Sequence, residues 1–210
     1  MPHKPIFIVV EGIDGSGKTT VSRLVYNKLS HLCRVKLTSE PFDRTILRLA
    51  EVSQKKFADS PILAIDCSAL LFTYDRARHT LNIRRWLSEG RSVICDRYFM
   101  STIAYQGAQY RMAGSDRSSW LRSINRPFID APDMLIYMES DPSVAIKRIK
   151  ERGADSPLFE NELFLRETAA AYAREYRAFR GIKRRIKADR PVAEVCEEAL
   201  DAIKKAMELI

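Results

Sequence analysis

The stretch EGIDGSGKTT, from Glu11 to Thr20, constrains the fold of this chain more than any other segment. Gly12, Gly17, Lys18 and Thr19 satisfy G-x-x-x-x-G-K-[ST], a pattern that carries meaning where a buried strand turns directly into a helix. Both flanks meet that condition. IFIVV, from Ile6 to Val10, is a short, continuous β-branched and aromatic run bounded by Pro5 and Gly12, as expected of a strand buried on both faces of a parallel sheet. After the loop, Val21, Leu24, Val25 and Leu29 recur at helical spacing. Glycines let the backbone amides turn inward around phosphate oxygens, and the helix N-terminus adds partial positive charge. Gly12, Gly15, Ser16, Gly17, Lys18, Thr19 and Thr20 are therefore expected to hold the phosphates of ATP. Lys18 would reach the β- and γ-phosphates, and the Thr19 hydroxyl would coordinate Mg²⁺.

The remaining pattern alternates in the same way. A second strand is expected at Val35 to Thr38. A helix from Pro61 to Glu89 carries an apolar stripe through Leu63, Leu70, Leu71 and Leu81 and is stopped by Gly90. SVIC forms a short apolar run ending at Asp96, and MLIYM, from Met134 to Met138, repeats it. Asp141 caps and Pro142 opens a helix that Gly153 ends. A helix from about Leu158 to Phe179, a strand near Arg185 to Ala188 and a last helix from Pro191 complete the series. Such alternation implies an α/β fold with a doubly wound parallel sheet of about five strands and right-handed crossovers. Ligands should gather at the C-terminal ends of its strands. At 210 residues, one domain spanning 1–210 is expected.

A net charge of +8 and a pI near 9.4 favour acidic partners. The arginines are scattered through the motif regions rather than gathered in one basic tract with interleaved aromatics, which suits small phosphorylated ligands and speaks against nucleic acid. The four cysteines are far apart with no C-x-x-C pair, so neither a zinc site nor a disulfide framework is implied. Glu11 cuts the first apolar run too short for a signal segment or a membrane span, and a cytoplasmic location follows by default.

Four blocks in order resemble the thymidylate kinase family: EGIDGSGKTT, TSEP from Thr38 to Pro41, LLFTYDRARH from Leu70 to His79, and DRYFMSTIAYQG from Asp96 to Gly107. PDMLIYMESDP and ERGADSPLFE extend the likeness over most of the chain. The resemblance implies a P-loop kinase that phosphorylates dTMP to dTDP with ATP and Mg²⁺, works as a homodimer and carries a lid at about 148–160. Asp96 ends a strand where a carboxylate can hold Mg²⁺ through its water shell. By resemblance, Arg97 contacts the acceptor phosphate, for which its planar fork is suited. Likewise by resemblance, Phe72 stacks on the thymine ring and Arg76 grips the monophosphate, the i, i+4 spacing placing both on one helix face. Asp14 matches a carboxylate that binds the sugar 3′-hydroxyl. Tyr105 and Gln106 match positions around base and sugar, Tyr105 excluding a ribose 2′-hydroxyl, and Ser101 matches one that helps select thymine.

Two departures from the family pattern stand out. Ser39 replaces the arginine of the common TREP block, leaving Arg48 or Arg44 as substitutes from the following segment. Gly15 occupies the loop position where some members carry a transition-state arginine, so Arg148 and Arg152 inherit that task, although Ser156 and Pro157 stand where a further basic residue often occurs. The rival readings are a kinase for another nucleoside monophosphate or a deoxynucleoside, and a nucleotide-binding regulator without turnover. No N-K-x-D guanine-recognition tetrapeptide occurs.

Overall fold

A computed structural model describes residues 4–153 and 161–209. Five parallel strands, β1 (Phe7–Glu11), β2 (Val35–Ser39), β3 (Ser92–Asp96), β4 (Met134–Glu139) and β5 (Ile182–Lys187), form one sheet in the order β2-β3-β1-β4-β5. The first strand is therefore central, flanked by β3 and β4 in register Val9↔Cys95 and Val9↔Leu135. Every residue of β1 is buried, because helices cover both faces of the sheet.

Alternation along β1 divides the core in two. Phe7 and Val9 face a cluster with Ile83 and Trp86 of α3 (Pro61–Ser88), Ala104 and Tyr105 of α4 (Phe99–Met112), Ile149 of α6 (Pro142–Glu151) and Tyr172 of α7 (Glu162–Ala178). Ile6, Ile8 and Val10 face the opposite layer, where Val21 and Val25 of α1 (Lys18–Leu29) pack with Ala199 and Ile203 of α8 (Val192–Leu209). This is the P-loop NTPase arrangement, with every strand pointing its C-terminal end at one rim.

Three helices occupy stretches to which no element was assigned from the sequence: α2 (Arg44–Lys56), α4 and α5 (Ser118–Asn125), the last followed by a 3₁₀ turn at Arg126–Phe128. For α2 a signal existed, since Asp43 caps it by accepting the Thr45 N–H at 2.8 Å. Helix α4 gave none, because it is packed between α3 and α7 and buried on most sides, which erases the period that a one-sided helix shows. Strand β5 starts at Ile182, three residues before the expected start, because pairing with β4 sets its length rather than its own basic sequence IKRRIK. Helix α7 is described from its Asn161 cap onward; the expected start at Leu158, with Ser156 and Pro157, lies outside the described residues. Among the described residues no helix is long and apolar enough to cross a membrane.

Candidate active site

The loop between β1 and α1 sits tightly against two neighbours. A Cβ on Gly12 would lie 2.5 Å from the Met138 carbonyl oxygen of β4, and one on Gly15 would lie 2.3 Å from the Ala145 carbonyl oxygen of α6. Gly15 also has φ 80°, a left-handed conformation that glycine adopts without strain. Side chains larger than hydrogen are thus excluded at both positions. Lys18 is buried and its amine donates to the Ile13 carbonyl at 2.7 Å. Burial drives that amine down to about 8, Arg97 adding to the effect while Asp14, Asp96 and Glu11 oppose it.

The Thr19 hydroxyl donates to Asp96 Oδ2 at 2.5 Å, joining the start of α1 to the end of β3. The second Asp96 oxygen, Oδ1, is buried without a hydrogen-bond partner, as is the Ser16 hydroxyl. An unpartnered buried carboxylate oxygen beside a threonine hydroxyl is the donor set that a Mg²⁺ ion and its water shell would complete.

Two cavities meet at this loop. The first, about 420 Å³, lies between the loop and helices α2, α3 and α4, and is lined by Asp14, Glu40, Phe72, Arg76, Arg97, Ser101, Tyr105 and Gln106 among others. At its loop end, Arg97 forms an ion pair with Asp14 and lies 5.1 Å over the Tyr105 ring. The Tyr105 hydroxyl accepts the Asp14 N–H at 2.8 Å and donates to Asp14 Oδ2 at 3.0 Å. Burial pushes the Asp14 carboxyl up, but Arg97 and Lys18 outweigh it and hold the group below its usual range. Asp14, Arg97 and Tyr105 are thus one bonded unit.

In the same cavity Arg76, only 2% exposed, donates through Nε and Nη2 to Glu40 Oε2 at 3.0 and 2.6 Å, through Nη2 to Thr102 at 3.1 Å, and through Nη1 to Asn125. Glu40 is also bonded to the fully buried His79, 3.1 Å from Nδ1. The burial of Arg76 is thus relieved within the protein by the Glu40 carboxylate. Phe72, one turn earlier on α3, is half-buried on the cavity wall.

Ser101 lines the cavity, but its hydroxyl is committed, donating to Glu11 Oε2 at 2.7 Å and lying 2.7 Å from the Tyr172 hydroxyl. Arg48 and Arg44 are exposed and outside the cavity lining; from α2 it is Leu47, Ala50, Glu51 and Gln54 that face inward. The sequence reading passed over Glu11, Glu40, Thr102 and Asn125. For Glu11 and Glu40, their places directly before the phosphate loop and within TSEP were the available signal; Thr102 and Asn125 carry none.

The second cavity, about 340 Å³, runs along Gly15, Ser16, Gly17 and Thr20 to Met138, Arg148, Arg152, Ala188 and Arg190. Arg148 donates to the Gly15 carbonyl at 3.3 Å and to the Ala188 carbonyl at 3.1 Å, so it braces the loop against β5. Arg152 is exposed at the end of α6 and bonds the Arg148 carbonyl at 3.3 Å. Arg190, unnoticed in the sequence, is held by the Lys187 carbonyl at 3.1 Å and by Glu198.

A glycine-built phosphate loop, a Thr19–Asp96 pair and two cavities sharing that loop describe a site for two phosphorylated ligands. Comparison with known proteins agrees. The sequence model described as thymidylate kinase matches residues 10–199. A probable thymidylate kinase of Thermoplasma acidophilum is 36% identical over 171 residues, covering 80% of this chain and 82% of the relative. That of Sulfolobus acidocaldarius is 42% identical over 152 residues, covering 70% and 71%. A probable thymidylate kinase 1 of Saccharolobus solfataricus is 36% identical over 207 residues, 94% of this chain and 96% of the relative. With the match running from β1 into α8 and enclosing both cavities, the chain belongs to the thymidylate kinase family.

Proposed function

We propose that this protein transfers the γ-phosphoryl group of ATP to the phosphate of dTMP, yielding dTDP and ADP. The observation that carries the proposal is the junction of the two cavities. Donor phosphates lie along Gly15–Thr20, while the acceptor cavity opens beside the same loop at Asp14 and Arg97. The acceptor phosphate belongs at the Arg97 end, where a guanidinium stands nearest the loop, and its base at the end formed by Phe72 and Arg76. With all three nitrogens of its guanidinium already bonded to Glu40, Thr102 and Asn125, Arg76 suits a neutral base edge better than a dianion.

The acceptor is itself an anionic phosphate, so no strong general base is required, and catalysis rests on alignment and charge stabilisation. Lys18 bridges donor phosphates and Arg97 orients the attacking phosphate oxygen. Asp14 and Tyr105 hold Arg97 in place. Thr19 and Asp96 would hold Mg²⁺, which would supply positive charge to offset that of the transferring phosphoryl group. Arg152, exposed at the end of α6, is free to approach the transferring group, while Arg148 keeps the loop in shape.

A second copy of the chain is the partner this reading gives to the outer face of α3. Leu63, Leu70, Tyr74 and Leu81 are exposed by 44%, 51%, 56% and 63% along one stripe, next to exposed Leu49 and Val52 of α2. Sedimentation of the parent protein and of Leu70→Glu tests the dimer, which the charge should dissociate. The activity is tested by ADP release from ATP with dTMP, dUMP, UMP, CMP, AMP and GMP. Preference for dTMP is expected, and equal turnover of AMP or GMP overturns the assignment.

A further inference from the structure

We infer that Glu11, the last residue of β1, is a positioning residue that sets the Arg97 guanidinium at the acceptor phosphate by way of the first turn of α4. The inference rests on the acceptor reading of Arg97 given above.

Glu11 is fully buried. Its Oε1 accepts the Tyr98 N–H at 2.9 Å and the Ser101 N–H at 3.2 Å, and its Oε2 accepts the Ser101 hydroxyl at 2.7 Å. The Tyr98 amide has no acceptor within α4, the Ser101 amide is shared with the Tyr98 carbonyl at 3.1 Å, and the N-cap residue, Tyr98, supplies no side-chain bond. A helix is thus capped from another strand by a residue 87 positions away. A serine or aspartate at the N-cap would serve a helix that needed only a cap. Burying a carboxylate for this purpose is expensive, and burial raises the Glu11 carboxyl to about 7 against the pull of these bonds and of Arg97 and Lys18.

The reason for the arrangement lies one residue upstream. Arg97 has φ 71°, the only positive φ outside glycine among the described residues, a left-handed conformation that strains a residue bearing a side chain. Arg97 N–H donates to the Val10 carbonyl at 2.9 Å, and the next amide, that of Tyr98, donates to Glu11. Consecutive residues of β1 therefore grip consecutive residues of the strained turn. The next residue of β1's own path is Gly12, which opens the phosphate loop. One short segment thereby fixes the spacing between the donor loop and the acceptor arginine.

The test compares Glu11→Ala, Glu11→Asp and Glu11→Gln with the parent and with Arg97→Ala, measuring kcat and KM for dTMP by ADP release and ATP affinity by direct titration. An amide oxygen can still accept the two backbone N–H groups, whereas an aspartate is one methylene too short to reach both. Glu11→Ala and Glu11→Asp should lose kcat by about 10²-fold, the scale of an ångström misplacement of a reacting group. Their ATP affinity should stay within about threefold and Glu11→Gln should recover most of kcat, because the ATP loop and the cap geometry are kept. A merely structural role would lower the melting temperature without separating kcat from ATP affinity. Unchanged kcat in Glu11→Asp, or an active Asp variant beside an inactive Gln variant, overturns the inference; these two decide it even if Glu11→Ala does not fold. Normal turnover by Arg97→Ala would instead overturn the acceptor reading itself.

Discussion

The donor cavity runs along Gly15–Thr20, one unbroken segment, and the loop's Gly12 and Gly15 are needed because the Met138 and Ala145 carbonyls press against them. The acceptor cavity beside it is built from side chains on the loop, the β2–α2 connection, α2, α3, the end of β3, α4 and α7. Its polar groups are bonded to each other first: Asp14 to Arg97 and Tyr105, Arg76 to Glu40 and Asn125, Ser101 to Glu11. A backbone site tolerates change in most surrounding side chains and almost none in its glycines. A side-chain network spreads its dependence over residues that never touch the ligand.

Lys18→Ala gives the widest separation between the two regions. Its amine meets donor phosphates, so kcat should fall by about 10³-fold, the upper range for losing one charge-stabilising donor. The melting temperature should hardly move, since burying that amine already lowers its proton affinity. Activity within threefold of the parent would remove the loop assignment. Arg76→Ala should behave in the opposite way, because it leaves Glu40 buried without its cation. A loss of about 3–5 kcal/mol in denaturant unfolding is expected, together with a raised KM for dTMP and unchanged ATP affinity. Unaltered stability would mean that Glu40 is relieved by His79 alone.

Within the loop, Gly15→Ala and Gly17→Ala separate crowding from backbone strain. Both residues have positive φ, 80° and 86°, but an added Cβ meets the Ala145 carbonyl at Gly15 and nothing within 4 Å at Gly17. Gly17→Ala should cost about 1–2 kcal/mol of stability, and Gly15→Ala more. Equal losses would show that α6 yields readily. The smallest effect is expected at Tyr105. Removing its hydroxyl in Tyr105→Phe takes two bonds from Asp14 and should change kcat/KM for dTMP by roughly tenfold or less, about one hydrogen bond's worth. The preference for deoxyribose should survive in Tyr105→Phe and relax in Tyr105→Ala, as read from the kcat/KM ratio for deoxy and ribo acceptors. A constant ratio in both variants would place sugar selection elsewhere.

What the sequence determined by itself was whatever is contiguous in the chain. The strand, the glycine loop and α1 follow one another from Ile6 to Leu29, and the alternation of apolar runs with helical stripes implied the parallel sheet with β1 inside it. Asp96 was legible for the same reason, as the polar residue that ends a buried run. Tertiary structure decided the rest, because partners far apart in the chain leave no local pattern. Glu40 reaches Arg76 across 36 positions and Asn125 across 49, and neither partner has a periodicity that announces it. Arg48 shows the limit plainly: a basic residue at a plausible distance from the motif turns to solvent because Leu47, Ala50 and Gln54 occupy the inward face of α2. Helix α4 was hidden by its burial on most sides. A short sequence can state that a phosphate will be bound by a loop; which side chains surround the second ligand depends on how five elements pack around it, and that information is distributed over the whole core.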